Sequence, residues 1–463
     1  MTLTVGGGPA VSGPAVSGPA VSGPAAGGTV TPPVDRVAAT FRRIRRHLSP
    51  PVALVGKVMG GGALEETGAG SWLRRSDGRD VLDFGSYAVT LLGRGDPAVL
   101  AAVRRQLDDL PASTRCLANE VTPAAAEALV EYLAGPWTRV HFGTNGADAV
   151  EVALKLARVA TGRTVVVAVE GAFHGKTLGA LAATHEPRFR RGLEDLLAPA
   201  VVHVPADDPG AVARVAAAVP VAALLVEPVQ GENGVVPLDP AILRRWSADA
   251  HAAGAFVVSD EIQMGLRRCG ERSLAAADAL DADAVLLGKA LGGGAVPLSA
   301  AVCTDRLYRP LLDDPYLHTA TFSGMPLCTA ALRPALDRIE ACRDNGQQIG
   351  TLLGEGLRGV AARYPGAVTQ VRGRGLAWGL DLADAPTAGK VHLGLAAAGL
   401  LVSPCLSRPT TLRLLPPITA TAGEVRHALD LLDGVLTALP APATEAAATA
   451  VTAAATVGGG PGR

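Results

Sequence analysis

Two stretches decide the fold: Ala255-Phe-Val-Val-Ser259, running into Asp260-Glu261-Ile262-Gln263, and Ala284-Val-Leu-Leu287, running into Gly288-Lys289-Ala-Leu-Gly-Gly-Gly294. Each is a short apolar run that ends abruptly in groups able to do chemistry. Similar runs occur at Thr164–Val169, Ala200–Val204, Ala222–Val226 and Leu298–Cys303, and helical patterns such as Ala147–Thr161 and Pro240–Ala253 lie between many of them. Continuous apolar strands alternating with helices predict a mostly parallel sheet covered on both faces, an α/β fold. In such sheets ligands bind beyond the carboxyl ends of the strands, where Asp260 and Lys289 fall.

Outward from this core, residues 326–438 carry helical patterns and one strand pair near 368–382 and read as a smaller α+β domain. Residues 86–325 form the large domain and 34–85 an N-terminal segment. Residues 1–33 repeat Ser-Gly-Pro-Ala-Val, and 439–463 are rich in Ala, Thr, Gly and Pro; both tails are expected to be disordered. Residues 34–48 predict a basic helix with Val34, Val37, Phe41, Ile44 and Leu48 on one face. Docking of that face on the protein's own body or on a sister subunit is favoured over a membrane surface.

The 463 residues carry a formal net charge of −1, which argues against a dedicated nucleic-acid or anionic-membrane partner. Six scattered cysteines form no CxxC pair and predict neither a zinc site nor a disulfide framework. There is no apolar run of about 18 residues, as a membrane helix requires, and no signal-peptide pattern at the N-terminus. A soluble, cytoplasmic protein is expected. Lysine occurs only at 57, 155, 176, 289 and 390, so lysine chemistry has few candidates.

Four motifs could carry chemistry. Gly143-Thr-Asn-Gly-Ala-Asp148 opens a strong helix whose free amides and dipole suit a phosphate, although Asn145 also reads as an ordinary helix cap. Gly171-Ala-Phe-His-Gly-Lys-Thr177 imitates a P-loop, but it is one residue short and carries Phe173 and His174 where a phosphate needs room; a nucleotide site is rejected. Asp260 and Glu261 end a strand, a placement shared by ligand sites, caps and surface loops. Lys289 follows a buried-looking strand and precedes three glycines, where partial burial would make its amine nucleophilic.

In their order, these motifs resemble the class III pyridoxal-phosphate aminotransferases of fold type I, across most of residues 50–435. The resemblance rests on Leu82-Asp-Phe-Gly-Ser-Tyr87, His141–Glu151, Gly171–Gly175, Val226-Glu-Pro-Val-Gln-Gly-Glu-Asn-Gly234, Asp260–Gly265 and Gly288-Lys289. It continues through Thr321-Phe-Ser-Gly-Met-Pro326, Val371-Arg-Gly-Arg-Gly-Leu376 and Leu412-Arg-Leu-Leu-Pro-Pro417. It implies pyridoxal 5'-phosphate as cofactor, with Lys289 joined to its aldehyde and later carrying the substrate proton. Asp260 would pair with the ring nitrogen and Gln263 with the ring hydroxyl. Ile262 and Phe173 would cover the two ring faces, with His174 beside them. Asn145, Gly146 and Ala147 would hold the phosphate, and Thr321 that of a neighbouring subunit, so a homodimer is expected.

For substrate, the resemblance implies that Arg413 grips a carboxylate and that Glu232 pairs with Arg413 when none is bound, with Tyr87 near the pocket. Lys176, Asn145, Met325 and Arg94 stand where many members carry Arg, Ser, Asn and His, departures that suggest an unusual substrate. The expected reaction moves an amino group between an amine or amino acid, a terminal amine being favoured, and a keto acid or aldehyde. A role in natural-product or peptide tailoring fits the composition, and racemisation, aminomutation or decarboxylation on the same frame stays open.

Overall fold

The computed structural model describes residues 33–114, 116–197 and 201–439. The repeat expected to be disordered in 1–33 lies outside them except for Pro33, and the C-terminal tail except for Leu439.

Seven strands form the central sheet: β1 (Arg139–Gly143), β2 (Val165–Val169), β3 (Val201–Val204), β4 (Val221–Val226), β5 (Phe256–Asp260), β6 (Ala284–Leu287) and β7 (Ser299–Cys303). Their spatial order is β1-β7-β6-β5-β4-β2-β3. Every pairing from β6 to β3 is parallel, and only β7 runs against its neighbours. The apolar runs predict six of these strands to within a residue. β1 escapes that pattern because it sits at the sheet edge, where Arg139, Val140 and His141 are not fully buried and the run is not purely apolar.

The sheet is buried on both faces: β4, β5, β6 and β7 are buried at every position. One face packs under the helix Gly146–Thr161, whose Val150, Val152, Leu154 and Leu156 are fully enclosed. The other packs on Pro240–Ala252, where Trp246 is fully buried and donates its indole N–H to the Asp208 carbonyl at 2.9 Å.

A four-stranded antiparallel sheet, Val368–Arg374, Ala377–Leu382, Thr411–Leu414 and Ser403–Pro404, packs beside the central one and carries Arg413 on an inner strand. The N-terminal strands Glu65–Ala69, Trp72–Arg75 and Asp80–Asp83 form another small sheet, completed by Leu400–Leu401. The basic helix spans Pro33–His47 and docks on the following helix, Pro50–Met59; Phe41 is 4% exposed and its ring lies under the Lys57 ammonium at 5.6 Å. No described helix is long and apolar enough to cross a membrane.

Candidate active site

The carboxyl ends of β4, β5 and β6 converge on a cavity of about 200 Å³. β5 ends in Asp260 and Glu261, and strand alternation sends them opposite ways. Asp260 faces the cavity. Glu261 turns into the core and accepts bonds from Ser259, Ser273 and the amides of Leu274 and Ala275, tying down the start of a short helix. The two-acid motif thus divides into one cavity group and one structural anchor.

Lys289 lies one residue beyond the Gly288 that follows β6. It adopts φ 44°, a left-handed conformation that costs a non-glycine residue about 1 kcal/mol or more. The turn is closed by the Leu291 amide on the Gly288 carbonyl at 3.0 Å. Burial lowers the proton affinity of its ammonium, and Arg413 lowers it further; the carboxylates of Glu232, Asp260 and Glu227 pull the other way. The net shift is downward, toward a neutral amine.

Across the cavity, the loop Gly171–Thr177 places Phe173 and His174. His174 is 3% exposed and its Nδ1 is 2.7 Å from Asp260 Oδ2, while its buried Nε2 has no partner among the described residues. The His174 amide donates to Thr184 Oγ1, which donates in turn to the Gly175 carbonyl. Gly175 adopts φ 134° and a Cβ there would meet Ala147 at 2.9 Å, so the loop can press on the helix start only with glycine at this place. The inward group of this false P-loop therefore serves Asp260.

Gly146 and Ala147 line the cavity as the first two residues of their helix, where amides have no intrahelical acceptor. Asn145 does not line it. Its side chain accepts from the Asp148 amide at 3.2 Å, and Asp148 accepts in return from Thr144 and Asn145, a reciprocal capping box. Ile262 packs between Gly146 and Gly288: a Cβ on either would approach its side chain to 2.9 and 3.1 Å.

The far wall is polar. Glu232 and Gln263 line the cavity, and Arg413, with no exposed surface, sits behind them. Arg413 Nη1 donates to Glu232 Oε1 at 2.6 Å, to Gln263 Oε1 at 3.0 Å and to the Gly231 carbonyl at 3.3 Å. Among the described residues its Nε and Nη2 have no acceptor. Burial would raise the Glu232 carboxyl, but Arg413, the Leu406 amide and the Gln263 amide hold it below the usual carboxylate range.

Two predicted residues stand apart within the single chain. Tyr87 is 63% exposed on a turn in which Ser86, Tyr87 and Ala88 all have positive φ, and Arg94 braces that turn through Asp83 and Ser86. Thr321 lines a separate groove with Phe322 and Met325. Roomier clefts of about 500 and 690 Å³ lie elsewhere, with arginines already engaged, such as Arg267 with Glu340 and Arg306 with Asp283. Among the described residues no group of acids, histidines and cysteines could hold a metal ion.

Sequence reasoning passed over Glu227. It directly follows the fully buried β4, the same signal that marks Asp260, and it lines the cavity at 5% exposure. Burial and Asp260 push its carboxyl up to about 7, against the pull of His174 and the amides of Phe173 and Gly231.

A lysine amine of lowered proton affinity, a carboxylate fixed by His174 and helix-start amides thus meet in one cavity at the strand ends of an α/β sheet. The class-III aminotransferase profile matches residues 60–436. An acetylornithine aminotransferase of Mycolicibacterium smegmatis is 38% identical over 393 residues, 84% of this chain and 94% of that protein. The ornithine aminotransferase of Toxoplasma gondii superposes with a TM-score of 0.79 at 27% identity, covering 87% of this chain and 95% of the other. A PLP-bound amine transaminase from an uncultivated Pseudomonas species superposes with a TM-score of 0.74 at 26% identity, over 81% of this chain and 94% of that one. The chain belongs to the class-III aminotransferases: it is a pyridoxal-phosphate enzyme that transfers amino groups between a donor and a keto acceptor.

The residues present fit that cofactor. Lys289 offers the amine for its aldehyde and Asp260 an anion for its ring nitrogen. The Gly146 and Ala147 amides suit its phosphate, and Phe173 and Ile262 leave a slot between them.

Proposed function

We propose that the enzyme acts on the terminal amine of an ornithine-like amino acid and passes the amino group to a dicarboxylic keto acid such as 2-oxoglutarate. The observation that carries this reading is the buried Glu232–Arg413 pair. Arg413 keeps two unsatisfied N–H groups, and a carboxylate could take both in a bidentate contact. With Glu232 on Arg413 the wall is neutralised for an amine end; with Glu232 displaced, the wall becomes a carboxylate site. A pocket serving two unlike substrates in turn needs such an exchange.

Bound pyridoxal phosphate supplies the aldehyde and the electron sink. Lys289 would hold it and, as a base of lowered proton affinity, would move a proton at the donor carbon. Asp260, fixed by His174, would keep the ring nitrogen protonated. Gln263 would face the ring hydroxyl, and Phe173 and Ile262 would flank the ring. Gly146 and Ala147 would bind the phosphate through backbone amides, with Asn145 capping the helix that presents them.

A homodimer completes the arrangement. Thr321, remote from the chain's own Lys289 cavity, reaches the partner's phosphate, and Tyr87 faces substrate in the assembled pair. Domain boundaries near 85 and 325 separate the N-terminal segment and the small domain from the cofactor-binding body. A specialised substrate, natural-product or peptide-borne, accords with the Lys176 and Met325 departures.

The test is a donor screen on the purified holoenzyme, read by loss of the visible cofactor band. Ornithine-like donors should bleach the band and 2-oxoglutarate restore it. Bleaching by α-amines alone, with no response to terminal amines, would overturn the reading.

A further inference from the structure

Among the described residues no basic side chain bonds the Glu227 carboxylate. Its Oε1 accepts the Phe173 amide at 2.8 Å and its Oε2 the Gly231 amide at 3.2 Å. The second contact is local, four residues along the same turn. The first reaches 54 positions back, to the loop whose aromatic ring walls the cavity. The Gly231 peptide then continues the chain of contacts, since its carbonyl accepts Arg413 Nη1 at 3.3 Å and the Cys405 thiol at 3.5 Å. Gly231 is also wedged in place: a Cβ on it would lie 1.6 Å from Gln263 Oε1.

We propose that Glu227 is a positioning residue that yokes the Phe173 loop to the Gly231–Glu232 loop, so that the ring wall and the carboxylate gate shift as one body. One carboxylate at β4's end bonds both loops, beside the Gln230 Nε2 bond to the Glu170 carbonyl at 2.9 Å, and it needs both oxygens as acceptors. A protonated acid keeps one good acceptor and turns its other oxygen into a hydroxyl facing an amide N–H. The yoke therefore slackens when Glu227 takes up a proton. Its raised proton affinity places that event near neutral pH. The titratable groups around it are His174 and Asp260 on the ring side, and Lys289 and Glu232 across the cavity.

This inference rests on the carboxylate-gate reading of Arg413 and deepens it. The experiment uses the holoenzyme and two probes: the rate of cofactor release into a trap, and the affinity for glutarate, a dicarboxylate that cannot react. Both are measured from pH 5.5 to 8.5 in wild type, Glu227→Gln and Glu227→Asp. In wild type, release should quicken and glutarate affinity fall together, with a shared midpoint near 7, each by about five-fold for the loss of one hydrogen bond. Glu227→Gln should hold both at their acid-limb values with no pH dependence, and Glu227→Asp should restore part of it. A Glu227→Gln enzyme that melts earlier but keeps both wild-type pH profiles would overturn the proposal, as would a variant that moves one probe and not the other. Loss of the shared pH dependence in Glu227→Gln supports the yoke even where ornithine-like donors fail, so the two readings fail separately.

Discussion

Replacing Gly231 by alanine would disable the substrate gate without touching a charged residue. The new methyl would sit 1.6 Å from Gln263 Oε1 and 2.6 Å from Gln263 Cδ, so Gln263 must leave its position. Two bonds go with it: its amide N–H to Glu232 Oε1 at 3.1 Å, and Arg413 Nη1 to its Oε1 at 3.0 Å. Hydrogen bonds to charged groups contribute about 1.5–3 kcal/mol each, and the displaced amide recovers part of that with water, leaving a loss of about 3 kcal/mol. Spent at the site, this lowers kcat/KM by about 100-fold. Steady-state kinetics on both half-reactions would read it, with Gly389→Ala as control, because a Cβ at 389 meets nothing within 4 Å. The sharper test is a double-mutant cycle. In a Gln263→Ala background the clash disappears, so adding Gly231→Ala should cost little beyond Gln263→Ala itself. Additive losses, or wild-type kinetics for Gly231→Ala, would refute the reasoning.

Lys289→Ala should abolish the visible cofactor band and its response to donors, and a normal exchangeable band in that variant would sink the assignment. Glu261→Gln should destabilise the fold by about 1–3 kcal/mol, because one of the amides of Leu274 and Ala275 loses its acceptor; a urea midpoint unchanged from wild type would contradict the anchor role. Burial pushes His141 and His203 each down to about 4, helped by His318 at the first and by His185 and Arg190 at the second. The unfolded chain then binds more protons between about pH 4 and 6.5, so the stability these groups contribute is present above 6.5 and lost as pH falls through that window. His141→Gln and His203→Gln should each flatten the dependence of the urea midpoint on pH there.

What the sequence made legible follows from what burial does to it. β4, β5 and β6 are covered on both faces, so their residues must be apolar and the polar group ending each stands out against them; that contrast exposed Asp260 and Lys289. β1, at the edge, tolerates Arg139 and His141 and carries no such contrast. Glu227 offered the same contrast as Asp260, but the family resemblance gave a role to Glu232 alone of the two. Glu227's partners are backbone amides, which every sequence has and none displays. The contacts between loops were equally hidden: no pattern announces that the Leu406 amide closes on Glu232 from 174 positions away. Family resemblance singled out Arg413, and the structure sets it on an inner strand, buried against Glu232.

The lone reversed strand has a consequence for how the enzyme comes into being. Among the described residues β1, which leads into the Gly143–Asp148 turn, finds its hydrogen-bond partner only in β7, the strand that follows the Lys289 loop. At a synthesis rate of 5–20 residues per second, the intervening stretch of about 150 residues keeps one edge of β1 uncovered on the ribosome for roughly 8–30 s. The turn after Gly143 therefore joins the sheet late, when β7 slots between β1 and β6, whereas the sheet from β6 to β3, with Asp260 and Lys289 at its strand ends, pairs without β7. A nascent chain halted before Ser299 presents bare edges of β1 and β6 to its neighbours.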